Sequence, residues 1–331
     1  MNGSCDGKVA LVTGTSRGLG KAIAQRLARE GATVALTART MEPDPKYQGS
    51  LRQTLEEIEV AGGTAVAIQA DLSKVEDRER LFTEVVERVG APDILVNNAA
   101  VTFLRPLDEF PDRRVRVMME MHVLAPLHLS QLAIPAMRER GRGWILNVTS
   151  VGGELPEGPP FSDFDRTAGF GVYGTVKAAL NRLTKSLAAE LYDDGIAVNA
   201  AAPTKPVATP GAGTLDLAKI DTEDIELITQ TAFMLCTGDP KVLTGRIAHT
   251  QAFLREAGWL TGPWQAGRLV ARFGEGSLHP PPGRQQIMTP LEGGCLDVYL
   301  GNTCTCRMSL NLLSDNDIWG TSAGQKGHGD E

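Results

Sequence analysis

The stretch Thr13-Gly14-Thr15-Ser16-Arg17-Gly18-Leu19-Gly20 follows an apolar run, Val9–Val12, and precedes a segment whose apolar residues recur every three or four positions. This order predicts a strand, a glycine-rich turn and a helix. An α/β protein binds phosphate at such a turn, because glycines let the backbone approach an anion and the helix N-terminus offers free N–H groups. A tight turn without a ligand is the alternative for three glycines taken alone. The spacing, T-G-x-x-x-G-x-G, also differs from the common G-x-G-x-x-G.

The composition narrows the class of protein. The chain has 331 residues, of which 42% are hydrophobic and 22% charged, so we expect a packed core in one large or two modest domains. A net charge of -7 argues against nucleic acid or an anionic membrane as a partner. No apolar run approaches about 18 residues, and no secretory signal opens the chain, so no membrane span is expected. Five cysteines without a disulfide framework predict a cytoplasmic protein.

Predicted strands and helices alternate along the first 250 residues. This alternation predicts an α/β, Rossmann-like fold: a doubly wound parallel sheet with helices on both faces. The predicted strands are Lys8–Thr13, Thr33–Thr37, Thr64–Gln69, Asp93–Val96, Trp144–Val148, Ile196–Ala200 and a short Gly245–His249; the helices are Gly18–Glu30, Leu51–Ala61, Val75–Val89, Asp112–Arg138, Val172–Tyr192 and Asp224–Leu235.

Prolines and glycines mark the irregular parts of this pattern. Pro126 and Pro135 are expected to kink the long fourth helix or to shift its ends. Gly152–Gly171 contains three prolines and three phenylalanines and is a predicted loop. Pro203–Gly213 is a second predicted loop, of a composition typical of a mobile lid.

The end of the second strand indicates which dinucleotide the fold would bind. An NAD enzyme of this fold places a carboxylate there to hold the ribose 2′-hydroxyl. Here the residues are Ala38 and Arg39, and Arg17 adds a second cation from the glycine turn. Arginine binds a 2′-phosphate through two donors, so the pair favours NADP(H) over NAD(H). Two solvated surface arginines are the alternative.

Three side chains are candidates for catalysis. Tyr173 and Lys177 are four residues apart and so share a helix face. Tyrosine ionises near pH ~10, and a neighbouring ammonium and a cationic nicotinamide would each lower that pKa. Ser150 follows the fifth strand and precedes glycines, which leaves its hydroxyl free to bind a substrate carbonyl oxygen. Taken singly, a surface pair and a turn-forming serine are the ordinary alternatives.

These motifs, in this order, resemble the short-chain dehydrogenase/reductase family over about residues 7–250. The resemblance implies that Tyr173 is the general acid/base, that Ser150 positions the carbonyl or hydroxyl, and that Lys177 binds ribose and lowers the tyrosine pKa. The motifs are Thr13–Gly20, Asp71-Leu72, Asn97-Asn98-Ala99-Ala100, Ser150, Tyr173-x-x-x-Lys177 and Asn199-Ala-Ala-Ala-Pro203.

The same resemblance implies a set of cofactor-binding residues. Asp71 would contact the adenine, and Asn98 would hold the turn after the fourth strand beside the cofactor. The full set is Gly14, Ser16, Arg17, Gly18, Leu19, Gly20, Arg39, Asp71, Leu72, Asn98, Ala99, Ala100, Tyr173, Lys177 and Pro203.

The chain departs from the family pattern at four places. His122 stands where the family has an asparagine that holds a water of the proton relay, so it is a further catalytic candidate; a buried histidine without a chemical role is the alternative. Ala100 and Thr204 each replace a usual glycine. Ser150 and Tyr173 are 23 residues apart, more than is common. The extra residues include Phe161, Phe164 and Phe170, which either form an apolar wall at the mouth of the site or pack an inserted loop.

The chain is predicted to contain one NAD(P)-binding domain, residues 1–257, and a weakly structured or disordered extension, residues 258–331. The extension shows no helix or strand period. Its Cys295, Cys304 and Cys306, with His279, lack the paired spacing of a zinc site, so no metal is predicted.

The sequence therefore predicts an NADP(H)-dependent carbonyl reductase or alcohol dehydrogenase. It would transfer a hydride between nicotinamide and a hydrophobic ketone, aldehyde or secondary alcohol, the apolar loop being the reason to expect a hydrophobic small-molecule substrate. We expect a homodimer or homotetramer formed through the fourth and fifth predicted helices. A non-catalytic NADP-binding regulatory or scaffold protein is the alternative.

Overall fold

The computed structural model describes residues 3–43, 49–209 and 221–260, and the backbone of Cys295–Leu300 and Thr303–Ser309. By its internal contacts the chain divides into two units, Met1–Trp264 and Gln265–Glu331. The division falls a few residues beyond the boundary that the sequence predicts, and the extent of the two domains stays a prediction.

Within the described residues of the first unit, seven parallel strands form one sheet in the order β3-β2-β1-β4-β5-β6-β7. The strand order reverses between β1 and β4, and in such sheets the crevice at the carboxyl ends of those strands receives the ligand. The predicted Rossmann-like fold is confirmed. The strands are β1 Val9–Thr13, β2 Thr33–Ala38, β3 Thr64–Gln69, β4 Ile94–Asn97, β5 Gly143–Val148, β6 Ile196–Ala202 and β7 Ile247–His249.

Helices cover both faces of this sheet. Helix α1 contacts α2 and α8 on one face, while α3 contacts α5 on the other, where α7 packs against β6. The helices are α1 Gly18–Arg29, α2 Leu51–Val60, α3 Val75–Val89, α4 Asp112–Met119, α5 Ala125–Glu139, α6 Asp163–Thr167, α7 Gly171–Glu190, α8 Ile225–Thr237 and α9 Thr250–Glu256.

The central strands are buried on both faces. Every residue of β5 and β6 is buried, and their mainly apolar runs, each with one asparagine, are typical of parallel strands between two helical layers. Because such runs end abruptly at turn residues, the sequence places the strand ends within one or two residues of the observed ones. Those ends carry the candidate site.

A π-helical turn, Glu120–Leu124, joins α4 to α5 in one continuous helical run. Pro135 lies inside α5 and does not end it, so a kink at this residue stays a prediction. Pro126 lacks an N–H, and its ring would clash with the carbonyl of His122 four residues earlier in a regular helix. A wider turn directly before Pro126 avoids both problems. The irregularity therefore lies on the residues that precede the proline.

Three elements were not predicted. Helix α6 lies inside the predicted loop Gly152–Gly171, and Ser162 caps it by accepting a hydrogen bond from the Asp165 backbone N–H at 3.1 Å. Helix α9 follows β7. In the second unit, Cys295–Leu300 and Thr303–Ser309 form an antiparallel hairpin, where the sequence analysis found no strand period. The alternation of Leu296, Val298 and Leu300 is the signal that it missed.

The helical run Asp112–Glu139 is long and apolar enough to cross a membrane, by length and composition only. Core helices of soluble proteins meet the same test. Here the run contacts α3, β5 and α7.

Candidate active site

The glycine turn is shaped by close packing against the loop after β4. Gly14 and Gly18 have positive φ angles of 72° and 60°. A Cβ on Gly20 would lie 2.3 Å from the Asn98 side-chain nitrogen and 2.4 Å from the Gly14 carbonyl oxygen. A Cβ on Gly18 would meet Thr209 at an ordinary 3.5 Å. Close packing therefore excludes a side chain at Gly14 and Gly20. Gly18, which has space for a Cβ, is the first residue of α1.

Thr13 anchors the loop after β4 to the end of β1. Its hydroxyl accepts hydrogen bonds from the backbone N–H groups of Asn98 and Ala99, at 2.9 and 3.0 Å, and donates to the Val96 carbonyl at 3.2 Å. The Asn98 side chain donates to the Thr13 carbonyl at 2.8 Å. These contacts span the point where the strand order reverses. Thr13 opens the glycine motif, but nothing in the sequence predicts this anchoring role.

An open cleft of about 680 Å³ lies between the edge strand β3 and helix α3 and extends to the end of β2. Its lining includes Arg39 and Asp71, and the Arg39 side chain is exposed. Asp71 accepts hydrogen bonds on Oδ1 from the Ser73 hydroxyl and backbone N–H, at 2.8 and 3.1 Å. One oxygen of Asp71 therefore shapes its own turn, and the adenine contact stays a prediction.

The other predicted cofactor residues follow the same edge of the sheet. Ser16, Gly20, Leu72 and Lys177 are buried, Arg39 and Ala100 are exposed, and Gly14, Arg17, Gly18, Leu19, Asp71, Asn98, Ala99, Tyr173 and Pro203 are partly buried.

Ser150 and Tyr173 meet at the start of α7. Ser150 lies just beyond β5, and its hydroxyl oxygen accepts a hydrogen bond from the Gly152 backbone N–H at 3.1 Å. A Cβ on Gly152 would lie 3.4 Å from the Tyr173 ring. Burial raises the pKa of Tyr173, and a hydrogen bond from Ser150 opposes that rise. The resemblance implies a lowered Tyr173 pKa, but burial and Ser150 together leave that pKa raised.

Lys177 lies one turn after Tyr173 and is buried. Its Nζ donates to the Val148 carbonyl at 2.8 Å and lies 5.8 Å from the centre of the Tyr173 ring. Burial lowers the pKa of Lys177 to about 7. An ammonium has three donor hydrogens, so the contact with Val148 leaves donors for a ligand beside Tyr173.

His122 lies on the π-helical turn with 2% of its surface exposed. Its Nε2 donates to the Val101 carbonyl at 2.8 Å, and its ring meets the Tyr173 ring edge-on, 6.0 Å between centres. Burial, assisted by the charge of Lys177, lowers the pKa of His122 to about 3. The imidazole is thus neutral near pH 7, as in a structural histidine. A part in proton transfer stays a prediction.

Two of the three phenylalanines of the insertion form a wall beside Tyr173. The Phe170 ring meets the Tyr173 ring edge-on at 5.4 Å, and Phe164 contacts Phe170 at 4.9 Å. Phe164 is 58% exposed and Phe161 is 50% exposed. The wall is therefore continuous from the candidate catalytic tyrosine to the surface.

The segment after β6 is held by groups that the sequence analysis missed. The Thr204 backbone N–H lies within hydrogen-bond distance of Thr250 Oγ1 and of a carboxylate oxygen of Glu223, at 3.1 and 3.2 Å. Nothing near Glu223 in the sequence marks it. The predicted lid, Pro203–Gly213, falls partly outside the described residues, since 210–213 are not among them.

Among the described residues, no group of three or more His, Cys, Asp or Glu side chains is placed to hold a metal ion. His279 lies outside the described residues, as do the side chains of Cys295, Cys304 and Cys306.

The chain is similar to known proteins in both sequence and fold. A family model described as short chain dehydrogenase matches residues 8–218, from β1 to beyond β6. Hydroxysteroid dehydrogenase-like protein 2 of Mus musculus is 30% identical over 258 residues, which cover 77% of this chain and 51% of that protein. The chain thus spans about half the length of this relative.

Two further proteins match over nearly their whole length. An uncharacterized oxidoreductase of Methylorubrum extorquens is 33% identical over 257 residues, covering 78% of this chain and 94% of that protein. The crystal structure of a metagenomic short-chain oxidoreductase in complex with NADP has a TM-score of 0.61 and 30% identity, covering 74% of this chain and 97% of its own.

Proposed function

Because the chain belongs to the short-chain dehydrogenase/reductase family, we propose that it is an NADP(H)-dependent carbonyl reductase or alcohol dehydrogenase acting on hydrophobic small molecules. That it is an oxidoreductase of this family follows from the matches. The observation that supports the proposed reaction is the convergence of Ser150, Tyr173 and Lys177 at the carboxyl end of β5, on the same edge of the sheet as the glycine turn. The substrate and the cofactor preference belong to the proposal.

In the proposed mechanism Tyr173 moves the proton. The cofactor, when bound, supplies the hydride in reduction and accepts it in oxidation. In the reducing direction Tyr173 gives the proton of its hydroxyl to the substrate oxygen as negative charge develops there. Ser150 donates a hydrogen bond to the same oxygen and so stabilises that charge. In the oxidising direction Tyr173 takes the proton from the alcohol.

Lys177 and His122 act around this tyrosine. The Lys177 ammonium binds ribose hydroxyls with donors that Val148 does not use, and its charge favours the tyrosinate. His122, neutral and fixed by Val101, either holds a water of the proton relay or keeps the π-helical turn in place. Both roles leave Tyr173 as the acid/base.

The glycine turn and its neighbours fit a dinucleotide phosphate. Gly18 has a positive φ at the N-terminus of α1, where backbone N–H groups face an anion. Arg39 is exposed at the end of β2, next to the cleft lined by Asp71. The glycine turn suits the pyrophosphate of either dinucleotide, and the exposed Arg39 supports NADP(H) over NAD(H), with Arg39 and Arg17 proposed to bind the 2′-phosphate.

The apolar wall supports a hydrophobic substrate. Phe170 and Phe164 continue the surface of Tyr173 to the entrance, and a hydrophobic carbonyl compound gains affinity by covering such rings. We therefore place ketones and aldehydes with apolar substituents, or the matching secondary alcohols, first among substrates.

Tyr173→Phe tests the proposed chemistry. We expect turnover to fall about 10²- to 10⁴-fold, the range that general acid/base catalysis contributes, while the affinity for NADPH changes little. Tyr192→Phe is the control, because Tyr192 is an exposed tyrosine whose hydroxyl contacts the Lys241 carbonyl. Steady-state rates with NADPH and a panel of ketones measure turnover, and fluorescence titration measures affinity. Normal turnover in Tyr173→Phe would refute the assignment.

The same panel of ketones distinguishes this proposal from the alternative, a non-catalytic NADP-binding regulatory or scaffold protein. Wild-type protein that binds NADPH tightly but turns over no ketone or alcohol would favour the alternative.

Assembly and compartment complete the proposal. Enzymes of this family commonly form oligomers, and we propose a homodimer or homotetramer through the α4–α5 run and α7, the predicted fourth and fifth helices. We propose the cytoplasm as the compartment, supported by the buried free thiols of Cys5 and Cys236.

A further inference from the structure

A buried carboxylate lies outside the catalytic cluster. Glu223 is 2% exposed, and it precedes α8 in a part of the chain to which the proposed mechanism gives no role. Burial raises the pKa of this carboxyl, while the hydrogen bonds that it accepts oppose the rise. Since a buried carboxyl is costly unless it is hydrogen-bonded, its partners indicate what it holds in place.

Both oxygens of Glu223 accept hydrogen bonds. Oε1 accepts from the Thr250 hydroxyl at 2.5 Å. Oε2 accepts from the Thr204 backbone N–H at 3.2 Å and from the Gln251 side-chain amide at 3.3 Å. The carboxylate therefore joins two parts of the chain: the segment that leaves β6 and the first turn of α9.

Backbone contacts strengthen this junction. The Glu223 N–H donates to the Pro206 carbonyl at 2.8 Å, and Glu223 forms a parallel bridge with Val207. Lys205 forms an ion pair with Asp221. The segment that follows β6 is thus paired with the segment that precedes α8.

Beyond this junction the chain reaches the glycine turn. A Cβ on Gly18 would lie 3.5 Å from the Cβ of Thr209. The segment Thr204–Thr209 therefore begins at the carboxyl end of β6, is held at Thr204 and Val207 by Glu223, and ends against the residue that opens α1. It crosses the crevice edge of the sheet.

We propose that Glu223 is a positioning residue for the cofactor site: it fixes Thr204–Thr209 across the crevice and so sets the affinity for the dinucleotide. This inference rests on the proposed function, because the crevice must receive a dinucleotide. Glu223 acts through Thr204 and Val207 and is not itself a ligand.

The chemistry of the junction explains why a carboxylate is suited to it. Three donors converge on two acceptor oxygens. A glutamine at position 223 offers one oxygen, which accepts from Thr204, while its amide donates to the Thr250 hydroxyl, a group that also accepts. An alanine leaves all three donors without the carboxylate. Glu223→Gln should therefore keep much of the positioning that Glu223→Ala loses.

The test compares NADPH affinity with stability in these variants of the full chain. We expect Glu223→Ala to raise the NADPH dissociation constant at least tenfold and to speed hydrogen exchange at the Thr204 amide, which donates to the carboxylate. Glu223→Gln should stay within about threefold of wild type. Glu256→Ala is the control, because Glu256 is 62% exposed and pairs with Arg246 outside this junction. Thermal unfolding is recorded for every variant.

The outcomes separate the two proposals. Wild-type affinity in Glu223→Ala, with only its melting temperature lowered, overturns the positioning role and leaves the proposed function intact. Wild-type protein that does not bind NADPH overturns the proposed function and this inference with it. If Glu223→Ala does not fold, Thr250→Val replaces it, and an unchanged dissociation constant in that variant overturns the inference.

Discussion

Replacing Lys177 by methionine should stabilise the protein without cofactor at neutral pH while removing its activity. Burial lowers the pKa of Lys177 to about 7 from the ordinary 10.5. Between these two values the folded state binds fewer protons than the unfolded state, so the unfolding free energy rises with pH across this window. The charged ammonium of Lys177 therefore lowers the unfolding free energy by the largest amount below pH 7.

The pKa difference sets the size of the effect. At 1.36 kcal/mol per unit, burying Lys177 costs about 4 kcal/mol at pH 7 and about 1 kcal/mol at pH 9.5. Methionine is of similar length but loses the hydrogen bond to the Val148 carbonyl, worth about 1 kcal/mol. Lys177→Met should therefore be about 3 kcal/mol more stable than wild type at pH 7 and equal to it near pH 9.5.

Urea unfolding of both proteins from pH 6.5 to 9.5, without cofactor, measures this difference, and other titrating groups cancel in the comparison. Lys185→Met is the control, because Lys185 is an exposed lysine on the same helix. A stability difference between Lys177→Met and wild type that does not change with pH would refute the reasoning, because the ammonium would then carry no burial cost.

Three further changes test separate parts of the site. Arg39→Asp should lower the NADPH-to-NADH ratio of kcat/KM about tenfold or more, since a hydrogen bond to a charged group contributes about 1.5–3 kcal/mol; Arg182→Asp, an exposed arginine on α7, should leave the ratio unchanged. Phe164→Ala should raise KM for bulky apolar ketones about three- to tenfold and for small ketones hardly at all, with Leu155→Ala, 85% exposed in the same insertion, as its control. Gly20→Ala should lower the unfolding free energy by about 1–3 kcal/mol, because its methyl would overlap a backbone carbonyl that cannot move away; a thermal unfolding curve equal to wild type would contradict this.

The sheet could be predicted because its signals are local. The observed bounds of β3 and α3 equal the predicted ones, Thr64–Gln69 and Val75–Val89. Turn residues delimit these elements, and each has a hydrophobic period of its own. Alternation and the right-handed crossover then leave few topologies. The ends of the strands, and therefore the residues at the crevice, follow from the same signals.

The polar groups that support the site could not be predicted, because their partners are distant in the chain. Glu223 meets Thr204 and Thr250 across 19 and 27 residues, and Thr13 meets Asn98 across 85. In the sequence Glu223 has the same neighbours as a solvated surface glutamate. Only the packing of β6, α9 and the segment between them shows that it is buried.

The insertion between Ser150 and Tyr173 was predicted in part. Its apolar content suggested a wall, and the contacts among Phe164, Phe170 and Tyr173 agree with that alternative. Helix α6 was not predicted because it has only 5 residues after its N-cap, Ser162. A helix that short has almost no hydrophobic period to detect.

The glycine turn shows how far a motif can support a functional conclusion. Asn98 and Ala99 pack so closely on Gly14 and Gly20 that both positions require glycine with or without a ligand. Gly14 and Gly20 are therefore explained by the contact between the β1 and β4 ends. Within this turn, only Gly18, at the N-terminus of α1, is evidence for a bound anion. The catalytic conclusion must then depend on side chains that no packing demand explains. The buried Lys177 with its costly charge meets that condition, because a fold selected for stability alone would replace the lysine with an apolar residue.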